Sequence, residues 1–254
     1  MSECSKPQLT WEINFLATNQ ALRTKRFGIP PEAKSVRYPV RLLRYWFGYH
    51  LIRSEAEHLG RPIEVAEVGV HTGQMREFFR TTPGSPAVGR WTAFDAVLLP
   101  EKLAKAGYDE MVEVNVESPD FRLDSDYDTA IVLHILEHLF KPEAALRKIA
   151  QGIRAGGSII GGFPVLPHPL IAARQKQVRK TAAPMGHVSI FSPRRVREMA
   201  AACGLRAEFV AGAYFLRSKG SPLENSALWL RFNLLWGALF PGWPGEVYWL
   251  MRKP

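Results

Sequence analysis

Hydrophobic positions along the chain follow two regimes that meet near residue 60. Before it, Val40, Leu42, Leu43, Trp46, Phe47, Leu51 and Ile52 recur at helical spacing between arginines, the pattern of an amphipathic helix. Ser35 and Pro39 stand ahead of this stretch as start signals, and Gly60-Arg61-Pro62 follows it as a stop. Residues 1–60 therefore read as an N-terminal helical cap without a strand.

From Ile63 the pattern changes to short apolar runs separated by helical segments. IEVAEVG, WTAFDAV, MVEVNV, TAIVLHI and Gly156 to Phe163 read as buried strands. Between and after them, helices are expected from Gln74 to Arg80, Pro100 to Ala106, Lys141 to Ile153 and Ser192 to Cys203. Strands alternating with helices predict an α/β domain over 61–254 with a parallel sheet and right-handed crossovers. Arg206 to Leu216 and Glu246 to Met251 are read as a closing antiparallel hairpin, interrupted by an apolar insert at 221–245.

Composition excludes several classes. A hydrophobic fraction of 46% with 22% charged residues is that of a folded globular chain. Two distant cysteines, Cys4 and Cys203, give neither a disulfide framework nor a zinc ribbon, so a reducing compartment is expected. The first residues show no basic segment followed by an apolar run, and thus no signal peptide. Ala227 to Phe240 is the longest apolar stretch but carries Arg231 and Asn233; a membrane span needs roughly 20 apolar residues. The expected location is cytoplasmic, with peripheral contact at a membrane as an alternative. A net charge of +9 favours an anionic partner, or is simply unused surface charge.

The central motif is Glu67-Val68-Gly69-Val70-His71-Thr72-Gly73, directly after the first strand and opening a helix. Glycines at 69 and 73 allow a tight turn and close approach of a ligand, and the helix start offers free N–H groups. The dinucleotide pattern G-x-G-x-x-G fails here, because His71 occupies the second glycine position and Gly73 arrives one residue early. An acid at 67 suits an ammonium better than a pyrophosphate. Asp95, ending WTAFDAV, can accept hydrogen bonds from ribose hydroxyls, and Asn115 is placed to meet an adenine edge.

With EVGVHTG, FDAV, DTAIVLHILEHL, IRAGGSIIGGFP and GHVSIFSPRRVREMAAACGL, residues 63–217 resemble the class I S-adenosylmethionine-dependent methyltransferases, in particular the ubiquinone-biosynthesis type. The resemblance implies a Rossmann-like seven-stranded sheet with helices on both faces. It implies S-adenosylmethionine as cofactor, with Glu67, Gly69, His71 and Gly73 around the methionine and Asp95 on the ribose. Asn115 falls near adenine and His134 beneath the sulfonium. The chain departs from the family at His71 (usually glycine), at Asn115 (usually an acid), and in a longer interval from Glu67 to Asp95.

The histidines admit several readings. His134-Ile-Leu-Glu137-His138 also fits the H-x-x-E-H motif of an inverted zinc protease, but the strand-to-helix boundary falls inside it. Some relatives that methylate RNA 2′-hydroxyls resemble this pattern, which implies Glu137, His138 and His187 as ligands of a divalent ion such as Mg²⁺. The metal-free reading is preferred: His187 is a pocket residue serving as general base or orienting donor, His134 and His138 are further catalytic candidates, and Glu137 and His138 otherwise cap and brace the helix that follows. Arg174, Lys176, Arg179 and Lys180 form a dense basic run, either a solvated face or a lid over an acidic acceptor. The cap helix and apolar insert are expected to form the acceptor pocket. The function expected is methyl transfer to a small molecule, most simply to oxygen. An RNA 2′-O-methyltransferase and a non-catalytic cofactor-binding or membrane-interface protein are the alternatives.

Overall fold

A computed structural model describes residues 6–13, 38, 40–124, 126–181, 186–217 and 221–254; Ser35 and Pro39, read above as helix-start signals, lie outside them. Among the described residues, seven strands form one sheet in the order β3-β2-β1-β4-β5-β7-β6. They are β1 (Ile63–Val68), β2 (Val88–Asp95), β3 (Glu110–Glu113), β4 (Tyr127–Leu133), β5 (Ile153–Val165), β6 (Arg206–Gly212) and β7 (Gly245–Arg252). The first five run parallel, whereas β7 inserts antiparallel between β5 and β6. The closing hairpin is as expected from the sequence. Its second strand is an inner one, with β6 left at the edge.

The helices are α1 (Leu43–Leu59), α2 (Gln74–Thr81), α3 (Pro100–Ala106), α4 (Pro142–Gln151), α5 (Ile171–Lys180), α6 (Pro193–Ala202) and α7 (Ala227–Leu239). Alternation along β7 shows how they divide. Tyr248 and Leu250 join a core with α1, α2, α3 and α7, while Val247, Trp249 and Met251 face a second core with α4 and α6, the period-two pattern of a strand buried on both faces. Helix α1 starts after a short 3₁₀ turn, Val40–Leu42, and ends at Gly60 in the left-handed region. It buries residues around most of its circumference, including Trp46, Phe47, Tyr49 and Ile52. The basic run lies on α5, a helix not anticipated from the sequence.

At the opposite end of the parallel strands from the site, Asp128 is 3% exposed and accepts from Arg61 at 2.7 and 2.9 Å, from Arg154 at 2.8 Å and from the Glu64 amide at 2.8 Å. These bonds fasten β4 to the residues entering β1 and β5, so the carboxyl ends of the strands are held in register where ligands of open α/β sheets bind.

Candidate active site

The loop between β1 and α2 turns through Gly69 at φ 80°, His71 at φ 50° and Gly73 at φ 74°. At His71 this conformation costs about 1–2 kcal/mol, and the loop is held by hydrogen bonds. The Gly69 amide donates to the Phe94 carbonyl at 2.8 Å, and the His71 amide donates to Asp95 Oδ2 at 2.8 Å. Asp95 Oδ1 accepts from the Val97 amide at 3.2 Å. Each carboxylate oxygen can accept a second bond, so ribose hydroxyls remain within its capacity. A Cβ on Gly69 would stand 2.7 Å from the Ile135 side chain, which excludes larger residues for a steric reason as well as a conformational one.

Glu67 is buried, 5% exposed. Its Oε2 accepts from Trp91 Nε1 at 3.0 Å and from the Tyr108 hydroxyl at 2.8 Å. Burial pushes its carboxyl up to about 7, against these two hydrogen bonds and the pull of Arg76.

A cavity of about 210 Å³ opens between this loop and the end of β4, lined by Glu67, Gly69, His71, Gln74, His134 and, from the start of α1, Arg44 and Tyr45. Four of the residues singled out in the sequence therefore meet around one space. Asp95 adjoins it through the His71 amide. Asn115 is exposed, does not line the cavity, and spends its amide oxygen on the Glu117 amide at 2.9 Å. No residue of 221–245 lines it.

His134 sits at φ 56° just past β4, its amide bonded to the Gly162 carbonyl at 2.8 Å. Its Nδ1 lies 3.0 Å from Glu137 Oε1. Its Nε2, 3.6 Å from Glu246 Oε2, makes no hydrogen bond among the described residues. Burial holds this imidazole below its usual range; Glu137 opposes that, and Arg44 and Arg217 reinforce it. Residues 136–138 form a 3₁₀ turn, so the two histidines of H-x-x-E-H do not share the helical face that a zinc protease needs.

The Glu137 carbonyl accepts the amides of Val188 at 2.8 Å and Ser189 at 3.0 Å. This draws the segment after α5 onto the 136–138 turn and sets His187 against His138, ring centroids 4.9 Å apart. Glu137, His138 and His187 each offer a ligand atom, all within 4.8 Å of one another. His138 Nδ1 lies 3.1 Å from the Gly186 carbonyl, and Glu137 Oε2 is buried without a partner. His187 is exposed, and neither it nor His138 is among the residues that line the cavity.

Sequence reasoning missed a second charged layer. Glu246, 2% exposed at the start of β7, receives the Tyr214 hydroxyl at 3.4 Å, the Tyr248 hydroxyl, Arg44 at 3.4 Å and Arg217. Its only sequence signal is an acid following Gly245 at the start of a largely apolar strand.

No protein-family model and no curated protein matches the chain. Solved structures do. The N-methyltransferase NodS of Bradyrhizobium japonicum, in complex with S-adenosylhomocysteine, aligns over 94% of this chain and 99% of its own at 13% identity and a TM-score of 0.54. Magnesium protoporphyrin IX methyltransferase of Synechocystis, also with S-adenosylhomocysteine bound, covers 95% and 98% at 13% identity and 0.52. The [4+2]-cyclase SpnF covers 81% and 80% at 15% identity and 0.51, so the likeness carries the architecture and not a reaction. By strand order and by these alignments, the chain has the fold of the class I S-adenosylmethionine-dependent methyltransferases.

Proposed function

We propose that the protein transfers the methyl group of S-adenosylmethionine to a small-molecule acceptor, with oxygen as the atom methylated. The observation that carries this is the pairing of opposite charges across one cavity, Glu67 on the loop side and Arg44 on the α1 side. A methionine end carries an ammonium and a carboxylate, and these two residues are their counter-charges. Gly69 leaves room for the backbone to approach, and Asp95 stands where the ribose would follow. The cofactor supplies an activated methyl on sulfur.

The chain's residues position the acceptor for in-line attack. A bond forms from the acceptor oxygen to the methyl carbon as the carbon–sulfur bond breaks, and a neutral thioether leaves. The hydroxyl proton goes to His134, which burial keeps neutral and Glu137 orients. His138 and His187, which do not line the cavity, take no direct part in this step.

A second reading is favoured by one observation, the convergence of Glu137, His138 and His187. Two imidazoles and a carboxylate form a donor set better suited to zinc or manganese than to magnesium. The ion would be held beside the acceptor hydroxyl and would polarise it; that arrangement also keeps RNA 2′-hydroxyls as acceptors. The metal-free reading is preferred, because His134 already provides a base within the cavity.

Isothermal calorimetry tests the proposal. S-adenosylmethionine and S-adenosylhomocysteine should both bind, and NAD should not. Binding of NAD as tight as that of S-adenosylhomocysteine would overturn it.

A further inference from the structure

Helix α7 breaks the usual rule for a surface helix. Its inner face packs Leu230, Leu234 and Gly237 onto the domain, with the Gly237 backbone so close to Gly212 that a Cβ there would stand 2.1 Å from a carbonyl oxygen. Its outer face is also apolar. Leu228, Phe232, Leu235 and Leu239 form one stripe at i, i+4, i+7 and i+11, all exposed, with Leu228 at 81%. Trp243 and Leu216, in the segments on either side of α7, are exposed as well. The two polar residues of α7 are turned to protein, Arg231 donating to the Leu9 and Trp11 carbonyls and Asn233 buried. A helix apolar on both its inner and outer faces is normally covered by protein or lipid, and no helix among the described residues is long and apolar enough to cross a membrane.

Helix α5 shows the complementary anomaly. It buries only Val178 and contains no acid, and Arg174, Lys176, Arg179 and Lys180 are all exposed. Among the described residues none of the four meets a carboxylate: Arg174 donates to Gln177 at 2.7 Å and Arg179 to the Phe140 carbonyl at 3.5 Å. The helix is tethered by Gln175, which bonds to the Val188 carbonyl at 2.5 Å and the Ile190 amide at 3.0 Å, beside His187.

Both helices flank the same end of the sheet. β5 ends at Val165, from which the chain passes to α5, and Val165 pairs with Gly245, where the chain arrives from α7 to start β7. That end is also where His134 and the cavity lie.

We propose that α5 and α7 together dock the protein on an anionic lipid bilayer. The outer stripe of α7 enters the headgroup boundary and the α5 cations meet lipid phosphates, so the active-site end faces the membrane. Apolar insertion at such a boundary reaches roughly 5–10 Å, which suits a single helix face. Charge argues against a second copy as the occupant, since each chain carries +9 and would bring its own α5 cations to the contact. The apolar stripe argues against nucleic acid, whose backbone offers it no partner. The acceptor implied is one that partitions into lipid.

The test is co-sedimentation of the intact protein with phosphatidylcholine vesicles, with and without an equal share of phosphatidylglycerol. It needs no turnover, so its outcome is independent of the methyl-transfer reading. Binding should require phosphatidylglycerol and weaken with salt. Replacing Arg174, Lys176, Arg179 and Lys180 by Gln should weaken it at least about a hundredfold, at roughly fivefold per cation. Leu228→Glu and Leu235→Glu should each weaken it roughly tenfold or more. Both sites are exposed, so thermal melts of these variants should match the parent. Equal binding to both vesicle types, or undiminished binding of the two glutamate variants, would overturn the proposal. So would a dimer that Leu228→Glu dissolves, or tighter binding to duplex DNA than to vesicles.

Discussion

On the proposed assignment of Glu67 to the methionine ammonium, cofactor binding is a proton-linked event. Its carboxyl, pushed up to about 7 by burial, is largely protonated in the free protein below neutrality. An ammonium placed against it favours the ionised form, so binding must expel the proton. For a single site of that pKa, affinity for S-adenosylhomocysteine should fall roughly fivefold from pH 7 to 6 and about tenfold more to pH 5. About half a proton should be released per ligand at pH 7, read from calorimetry in buffers of different ionisation enthalpy. Glu67→Gln keeps an acceptor for Trp91 and Tyr108 while removing the titration, and should bind more weakly with a flat pH profile. His71 lines the same cavity, so the series is repeated with His71→Gln, where the profile should persist.

The same shift fixes the sign of a stability effect. A carboxyl raised from 4.5 to about 7 on folding favours the folded state below 4.5, and that contribution is lost as pH rises through about 7. Glu67→Gln should therefore gain about 3 kcal/mol over the parent at pH 8, by chemical denaturation, and nothing at pH 4. A parent whose affinity is flat from pH 5 to 7, with no proton released, would refute the assignment of Glu67 to the ammonium.

Other expectations follow from the loop and the histidine cluster. Gly69→Ala meets both the left-handed backbone and Ile135; it should lose about 1–2 kcal/mol of stability and most cofactor affinity, measured by melting and calorimetry. If Glu137, His138 and His187 hold no metal, a chelator should leave turnover unchanged; loss restored by Mn²⁺ or Zn²⁺ would reverse that. In the metal-bound case His138→Ala and His187→Ala would be non-additive, because either breaks one site. With cofactor saturating, the acid limb of the rate should lie below the usual imidazole range, since burial lowers His134.

The sheet was legible because a strand buried on both faces writes a nearly continuous apolar run, and β1, β2 and β4 do so. The loop was legible because Gly69 and Gly73 must adopt backbone conformations that few residues tolerate. Helix α5 was not, since one buried residue in ten leaves no periodic stripe to detect. The short β3, mostly exposed, pairs only along one side and carried its assignment by position. Glu137 was read as a metal ligand or helix brace, yet its carboxylate bonds to His134; three residues of spacing do not reveal which side chain turns back. Arg44 was absorbed into the charged face of an amphipathic helix, because periodicity reports which face is polar and not what that face meets.

Glu246 was hidden for the opposite reason, and it leads to the last expectation. Glu137 can only accept a hydrogen bond as a carboxylate, so a neutral His134 bonded to it carries its proton on Nδ1. The lone pair of Nε2 then faces Glu246 Oε2 at 3.6 Å with no proton between them. Two acceptors held this way call for a shared donor, and an acceptor hydroxyl seated there would donate to one and then be deprotonated by His134. The arrangement also explains why Arg44, Arg217, Tyr214 and Tyr248 all converge on Glu246: they compensate a buried charge that otherwise would cost several kcal/mol. Nitrogen-15 NMR should find His134 in the Nδ1–H form at pH 7, and Glu137→Ala, which removes the acceptor, should abolish that preference and lower kcat by about 10²–10⁴ if the base is required. Glu246→Gln should lower kcat with little change in cofactor affinity. An Nε2–H tautomer, or an imidazolium persisting above pH 7, would remove His134 as the base.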